Sequence, residues 1–144
     1  VLEILGYRAQ DIDTEQLSAE GFPYSPYVLR RPQLLTPAAM AATLQRVVLG
    51  DVLQPASRQQ LSDWLIDNAT GDTCLRAGLG PRWRVGDKTG SDGKDTRNDV
   101  AVLWPRSGGA PWVVSAYLQG ATVDSDQRDA VLARAGQLAD ALID

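Results

Sequence analysis

The stretch Trp83-Arg84-Val85-Gly86-Asp87-Lys88-Thr89-Gly90-Ser91 decides how the rest of the 144-residue chain is read. It has the pattern of a strand that ends in a lysine, a hydroxyl and a glycine. Side chains two apart share a face of a strand, so Lys88 and Gly90 are expected on one side, with Thr89 at the bend and its hydroxyl free. The ammonium of Lys88 supplies charge and Thr89 a hydrogen bond, while the absent side chain at Gly90 lets a ligand lie against the backbone. Together these suit an anion. Lys-Thr-Gly alone also arises by chance, and Gly-Ser-Asp-Gly after a strand is ordinarily a hairpin turn.

Downstream, two more strand segments bounded by turns follow, giving strands expected at 82–89, 96–104 and 111–119. Turns built from Ser91-Asp92-Gly93 and Ser107-Gly108-Gly109 join them. Connections this short make an antiparallel sheet. Asp124 or Ser125 is placed to cap a final helix whose Val131, Ala135, Leu138 and Leu142 form a stripe suited to packing on the sheet.

Upstream, Thr36 before Pro37 marks a helix start, because the threonine oxygen caps free N–H groups and proline suits the first helical position. That helix should reach Leu49 and stop at Gly50. A second opens near Pro55, with Ser57 and Gln60 at capping-box spacing and Leu61, Trp64 and Leu65 turned inward. Thr70 to Arg76 reads as a short helical turn ended by Gly78. The class expected is α+β, a layered arrangement in which an antiparallel sheet of three or more strands packs against helices. Residues 1–34 form an unassigned N-terminal segment. Its apolar Val1–Tyr7 could add one strand beside 111–119, whose Trp112, Val113, Val114, Ala116 and Leu118 are too apolar for an open edge.

With 44% hydrophobic residues the chain can bury one core, and a net charge of −4 argues against a general nucleic-acid or acidic-membrane binder. No stretch has the length and apolarity of a membrane span, and Val1-Leu2-Glu3-Ile4-Leu5 lacks the pattern of a signal peptide. The lone cysteine, Cys74, excludes an internal disulfide. With no histidine, a Cys/His zinc site and a Ser-His-Asp triad are excluded too. No metal and no cofactor are expected. Gly93-Lys94 lacks the preceding glycine of a phosphate-binding loop.

Beyond the opening stretch, Thr96-Arg97-Asn98-Asp99-Val100-Ala101-Val102-Leu103-Trp104-Pro105 follows it, and Thr36-Pro37-Ala38-Ala39-Met40-Ala41 and Asn68-Ala69-Thr70-Gly71-Asp72 precede it. Taken together with Arg76-Ala77-Gly78 and Ala110-Pro111-Trp112-Val113-Val114, residues 35–144 closely resemble the second half of the class A serine β-lactamases. The resemblance implies a subsite for the carboxylate of a penicillin-like substrate. Lys88 would supply charge and help proton movement, Thr89 would hydrogen-bond the carboxylate and Gly90 would let the ligand lie flat. The Ser91 backbone N–H would be half of an oxyanion hole, Arg97 a second cation across the hairpin, and Thr70 a lining residue. Trp83 is expected as core and Asp87 as partner for a buried donor. A periplasmic or secreted origin is implied by the same resemblance.

No catalytic residue is identified. The family's Ser-x-x-Lys, Ser-Asp-Asn and Glu-x-x-Leu-Asn patterns are absent, and the literal match at Ser91-Asp92-Gly93-Lys94 lies in the turn after Lys-Thr-Gly rather than at a helix start. Two classes of function follow. One is a partial or shortened β-lactamase, inactive alone, whose nucleophile comes from elsewhere, by a complementary chain or self-association. The other is a non-catalytic module on the same fold, binding a carboxylate ligand or a protein.

Overall fold

A computed structural model describes residues 36–143. The expectations for residues 1–34, including a strand at Val1–Tyr7, lie outside the described residues. Three strands, β1 (Trp83–Ser91), β2 (Arg97–Pro105) and β3 (Trp112–Leu118), form an antiparallel sheet in that order. The register sets Lys88 opposite Val100 and Thr89 opposite Asp99. Arg97 lies between Ser91 on one side and Leu118 on the other. Contrary to the expected bend at Thr89, β1 runs through Ser91, because pairing with Arg97 carries the ladder two residues further.

Helix α1 (Pro37–Leu44) starts as the sequence dictates: Thr36 Oγ1 accepts from the Ala39 N–H at 3.2 Å, and Pro37 occupies the first turn. It continues as a π-helical turn, Gln45–Leu49, closed by the Gly50 N–H donating to Gln45 O at 3.0 Å. Helix α2 (Pro55–Ile66) follows, then the single turn α3 (Leu75–Gly78) and the long α4 (Ser125–Leu142), capped by Asp124 Oδ1 accepting from the Gln127 N–H at 2.8 Å. The expected capping box in α2 does not form. Pro55 takes the first helical position after Gln54, which places Ser57 inside the helix.

Alternation along the strands separates two cores. Trp83, Ala101, Leu103 and Ala116 pack with Cys74, Leu75, Leu132 and Ile143 on one face, while Val100 and Val102 pack with Leu44, Val48 and Leu65 on the other. The sheet is therefore the middle layer between α3 with α4 and α1 with α2. Full burial of a leucine such as Leu75, Leu103 or Leu132 contributes about 1.5–3 kcal/mol. Two inward assignments are corrected. Trp64 is 65% exposed, and in α4 Val131, Leu138 and Leu142 face outward while Leu132 and Gly136 are buried. The cause is a close helix contact. A Cβ at Gly78 would lie 1.8 Å from Ala133 O and one at Gly136 2.3 Å from Leu75 O, so α3 presses backbone to backbone on the glycine side of α4 and fixes its rotation.

Among the described residues β3 borders only β2. Beside it lies an apolar cavity of about 250 Å³ between Pro37, Ala38 and Ala41 of α1, Trp112 to Ser115 of β3, and the end of α4.

Candidate functional site

The site is built where β1 and β2 leave the core, against the turn between α2 and α3. Asp87 lies on the same strand face as Thr89 and is fully buried. Burying a carboxylate demands compensating donors, and the chain supplies them: Arg76 Nε donates to Asp87 Oδ1 at 2.9 Å, its terminal nitrogen donates to the same oxygen, and Asn68 Nδ2 donates to Oδ2 at 2.7 Å. A Cβ at Gly71 would stand 1.8 Å from Asp87 Oδ2, so the loop can close over the carboxylate only with glycine there. Asp87 is the partner of buried donors that its sequence context suggested, and Trp83, 5% exposed, is core.

From Asn68 the network runs outward. Asn68 Oδ1 accepts from the Thr70 N–H at 3.3 Å and its hydroxyl at 2.9 Å, and Thr70 Oγ1 is 2.7 Å from Thr89 Oγ1. The Thr89 hydroxyl is thus engaged rather than free. Arg97 reaches the same loop from β2, donating to Thr70 O at 3.3 Å, Cys74 Sγ at 3.3 Å, and Asp129 Oδ1 and Oδ2 at 2.6 and 3.2 Å. Its hydrogen bond to Asp129 strengthens its hold on the proton. For Asp129, burial works against the charge, but hydrogen bonds from Arg97 and Thr73 outweigh it and hold the carboxyl below its ordinary value. Burial lifts the Cys74 thiol to about 11 against the pull of Arg97, so this cysteine is a protonated core residue.

Of the six sequence-predicted residues, Thr70, Thr89 and Arg97 therefore meet on one face of β1 and β2. Lys88 and Gly90 alternate to the other face, and the exposed Lys88 amine folds back to donate to Thr89 O at 2.7 Å. Gly90 has ordinary φ, and a Cβ there would meet only Asn98 Cβ at 3.9 Å among the described residues. Neither backbone conformation nor packing requires a glycine at that position. Ser91 is committed to the hairpin: its hydroxyl donates to Thr96 O at 3.0 Å and accepts from the Gly93 N–H at 3.1 Å. Asp92 tightens the same loop, its carboxyl held below the usual range by the N–H groups of Lys94 and Thr96. A serine so bonded meets no base among the described residues, in keeping with a coincidental Ser-x-x-Lys.

Asn68, Arg76 and Asp129 were not singled out from sequence as site residues. Asn68 and Arg76 lie within the Asn68-Ala69-Thr70-Gly71-Asp72 and Arg76-Ala77-Gly78 segments, but nothing local announces that Asp129, far along the chain in α4, closes on Arg97. Asp99, fully buried opposite Thr89, accepts from the Leu75 N–H at 3.0 Å through Oδ2 and has no partner for Oδ1 among the described residues. Burial, then the nearby Asp87 charge, push its carboxyl up to about 7.

Comparison with known proteins gives a consistent result. A family model described as the β-lactamase enzyme family matches residues 2–143. The β-lactamase L2 of Stenotrophomonas maltophilia is 72% identical over 108 residues, which span 75% of this chain and 36% of the relative. The OXY-2 β-lactamase of Klebsiella oxytoca is 45% identical over 103 residues, 72% of this chain and 35% of that protein. Among solved structures, L2 complexed with relebactam matches with a TM-score of 0.74 at 74% identity, covering 76% of this chain and 40% of that one. A β-lactamase from Xanthomonas campestris gives 0.73 at 58% identity, with 76% and 41% covered. The chain thus spans little more than a third of the length of these curated relatives.

Proposed function

Since the chain belongs to the β-lactamase enzyme family, with its high identity to β-lactamase L2 placing it among the class A enzymes, we propose that it carries the substrate-carboxylate subsite of a β-lactam hydrolase without the acylating half of the chemistry. The observation that carries this reading is the convergence of Thr89 and Arg97 on Thr70, the hydroxyl at its Oγ1 and the guanidinium at its carbonyl, with the Lys88 ammonium on the opposite face of the same strand end. Two cations and a hydroxyl at one strand end fit a carboxylate, because charge-assisted hydrogen bonds are about twice as strong as neutral ones. Gly90, which no contact among the described residues explains, leaves the strand surface flat for the ligand. The Ser91 backbone N–H then serves as one donor to a developing oxyanion.

Ring opening by this family runs through an acyl-enzyme on a serine activated by a lysine. In these 144 residues the only Ser-x-x-Lys is the hairpin at Ser91, whose hydroxyl is spent on Thr96 O. The chain by itself binds a β-lactam carboxylate but does not turn the substrate over, and hydrolysis, antibiotic resistance and an exported location belong to an assembly that supplies the nucleophile. No helix among the described residues is long and apolar enough to cross a membrane. A chromogenic cephalosporin assay on the isolated chain tests this: no hydrolysis above background is expected. Sustained turnover abolished by a single serine-to-alanine change in this chain would contradict it.

A further inference from the structure

Asn68 stands between a carboxylate and a hydroxyl, and this decides where every proton in the Thr70–Thr89 contact lies. Asp87 Oδ2 is 2.7 Å from the amide, and its carboxylate, held by Arg76, only accepts. The amide nitrogen of Asn68 must face it. Its carbonyl Oδ1 then faces Thr70, 2.9 Å from Oγ1. Thr70 has one hydroxyl proton. Were it given to Thr89, Thr70 Oγ1 and Asn68 Oδ1 would face each other as two acceptors. Given to Asn68, it leaves Thr70 Oγ1 free to accept, and the Thr89 hydroxyl, 2.7 Å away, becomes the donor. Only this order makes every contact a hydrogen bond.

We infer that Asn68 and Thr70 act as positioning residues that draw the Thr89 hydroxyl proton away from the ligand side of β1, a built-in brake on carboxylate binding. The inference rests on the reading of Lys88, Thr89 and Arg97 as a carboxylate site. In the resting network Thr89 Oγ1 offers lone pairs to a ligand, and a carboxylate, itself only an acceptor, gains nothing from it. The hydroxyl must first rotate and give up its bond to Thr70. Thr70 is exposed, so water can donate to its vacated oxygen and the rotation costs little. A ligand that instead brings an N–H or O–H to Thr89 meets no brake. The network therefore discriminates by hydrogen-bond polarity as well as by charge.

The test is a calorimetric titration of benzylpenicillin into the 144-residue chain and its Thr70→Val, Thr70→Ser, Thr89→Val and Lys88→Ala variants. Valine matches threonine in shape but removes the acceptor, so Thr70→Val is expected to bind ~2- to 10-fold more tightly, the worth of one neutral hydrogen bond. Thr70→Ser restores wild-type affinity. Thr89→Val binds more weakly, and adding Thr70→Val to it changes nothing further. If Lys88→Ala weakens binding but Thr70→Val weakens it or leaves it unchanged, the brake is overturned while the carboxylate site stands. If Lys88→Ala binds as wild type does, or if neither wild type nor Thr70→Val binds, the carboxylate reading fails and this inference with it. Binding by Thr70→Val alone is the brake at its strongest and supports it.

Discussion

Arg76 and Arg97 lie on the same side of the sheet, and each grips one aspartate with two nitrogens, Arg76 on Asp87 and Arg97 on Asp129. What differs is the carboxylate. The Asp87 side chain has no exposure, whereas that of Asp129 keeps 17%. The remaining Arg76 donors point to Leu65 O and Ile66 O, at the end of α2, and bind that helix to the sheet. Those of Arg97 reach the exposed Thr70 loop. Both guanidiniums are largely covered, Arg76 at 26% and Arg97 at 19% exposure, so the same pair chemistry ties α2 to the sheet in one place and ties the Thr70 loop and α4 to β2 in the other, and the two pairs differ in how far the partner carboxylate is buried.

The largest test of this contrast is Arg76→Ala. It strands Asp87 in the core with only Asn68 to answer its charge, and removal of one member of a buried pair costs about 3–5 kcal/mol. Denaturant unfolding should show that loss. A change below about 1 kcal/mol would mean that Asp87 is not dependent on the guanidinium.

Asp99 sharpens the contrast, because it is as buried as Asp87 and neither arginine hydrogen-bonds it. Its folded value of about 7 lies above the ordinary 3.8, so the folded chain binds more protons than the unfolded one between those limits. Stability from this group is present below about pH 4 and is lost as the pH rises to about 7. Asp99→Asn keeps an acceptor for the Leu75 N–H and should flatten that decline, leaving the variant as stable as wild type or more so near neutral pH. An unchanged slope of stability against pH would remove Asp99 as its source.

The contrast also marks what could be read in advance. Thr36 capping before Pro37, Asp124 opening α4, and three strands with short turns were legible because each depends on neighbours a few residues away. The buried side of α4 was not. Val131, Leu138 and Leu142 make a credible apolar stripe, but the Gly78 and Gly136 contact with α3 turns it outward, and that contact joins residues far apart in sequence. Trp64 misled for the same reason, since one face of α2 is fixed by Leu65 packing on Val100 and Val102. At the site, Lys88, Thr89 and Gly90 announced themselves as a motif. The Thr89 hydroxyl looked free because its partner Thr70 lies 19 residues away, and Arg97 read only as a second cation for the ligand because Asp129 lies 32 residues away.

Whether Lys88 and Arg97 flank a carboxylate site is decided by calorimetric titration of benzylpenicillin into wild type, Lys88→Ala and Arg97→Ala, with unfolding measured on each. Arg97→Ala should cost more than the ~1 kcal/mol of an exposed pair and less than Arg76→Ala, since its partner Asp129 keeps 17% exposure and can still reach water. Each substitution should weaken binding by ~1.5–3 kcal/mol, the worth of a hydrogen bond to a charged group. Unchanged affinity in both variants, with the fold intact, would contradict the account and leave Lys88-Thr89-Gly90 as the end of a strand and nothing more.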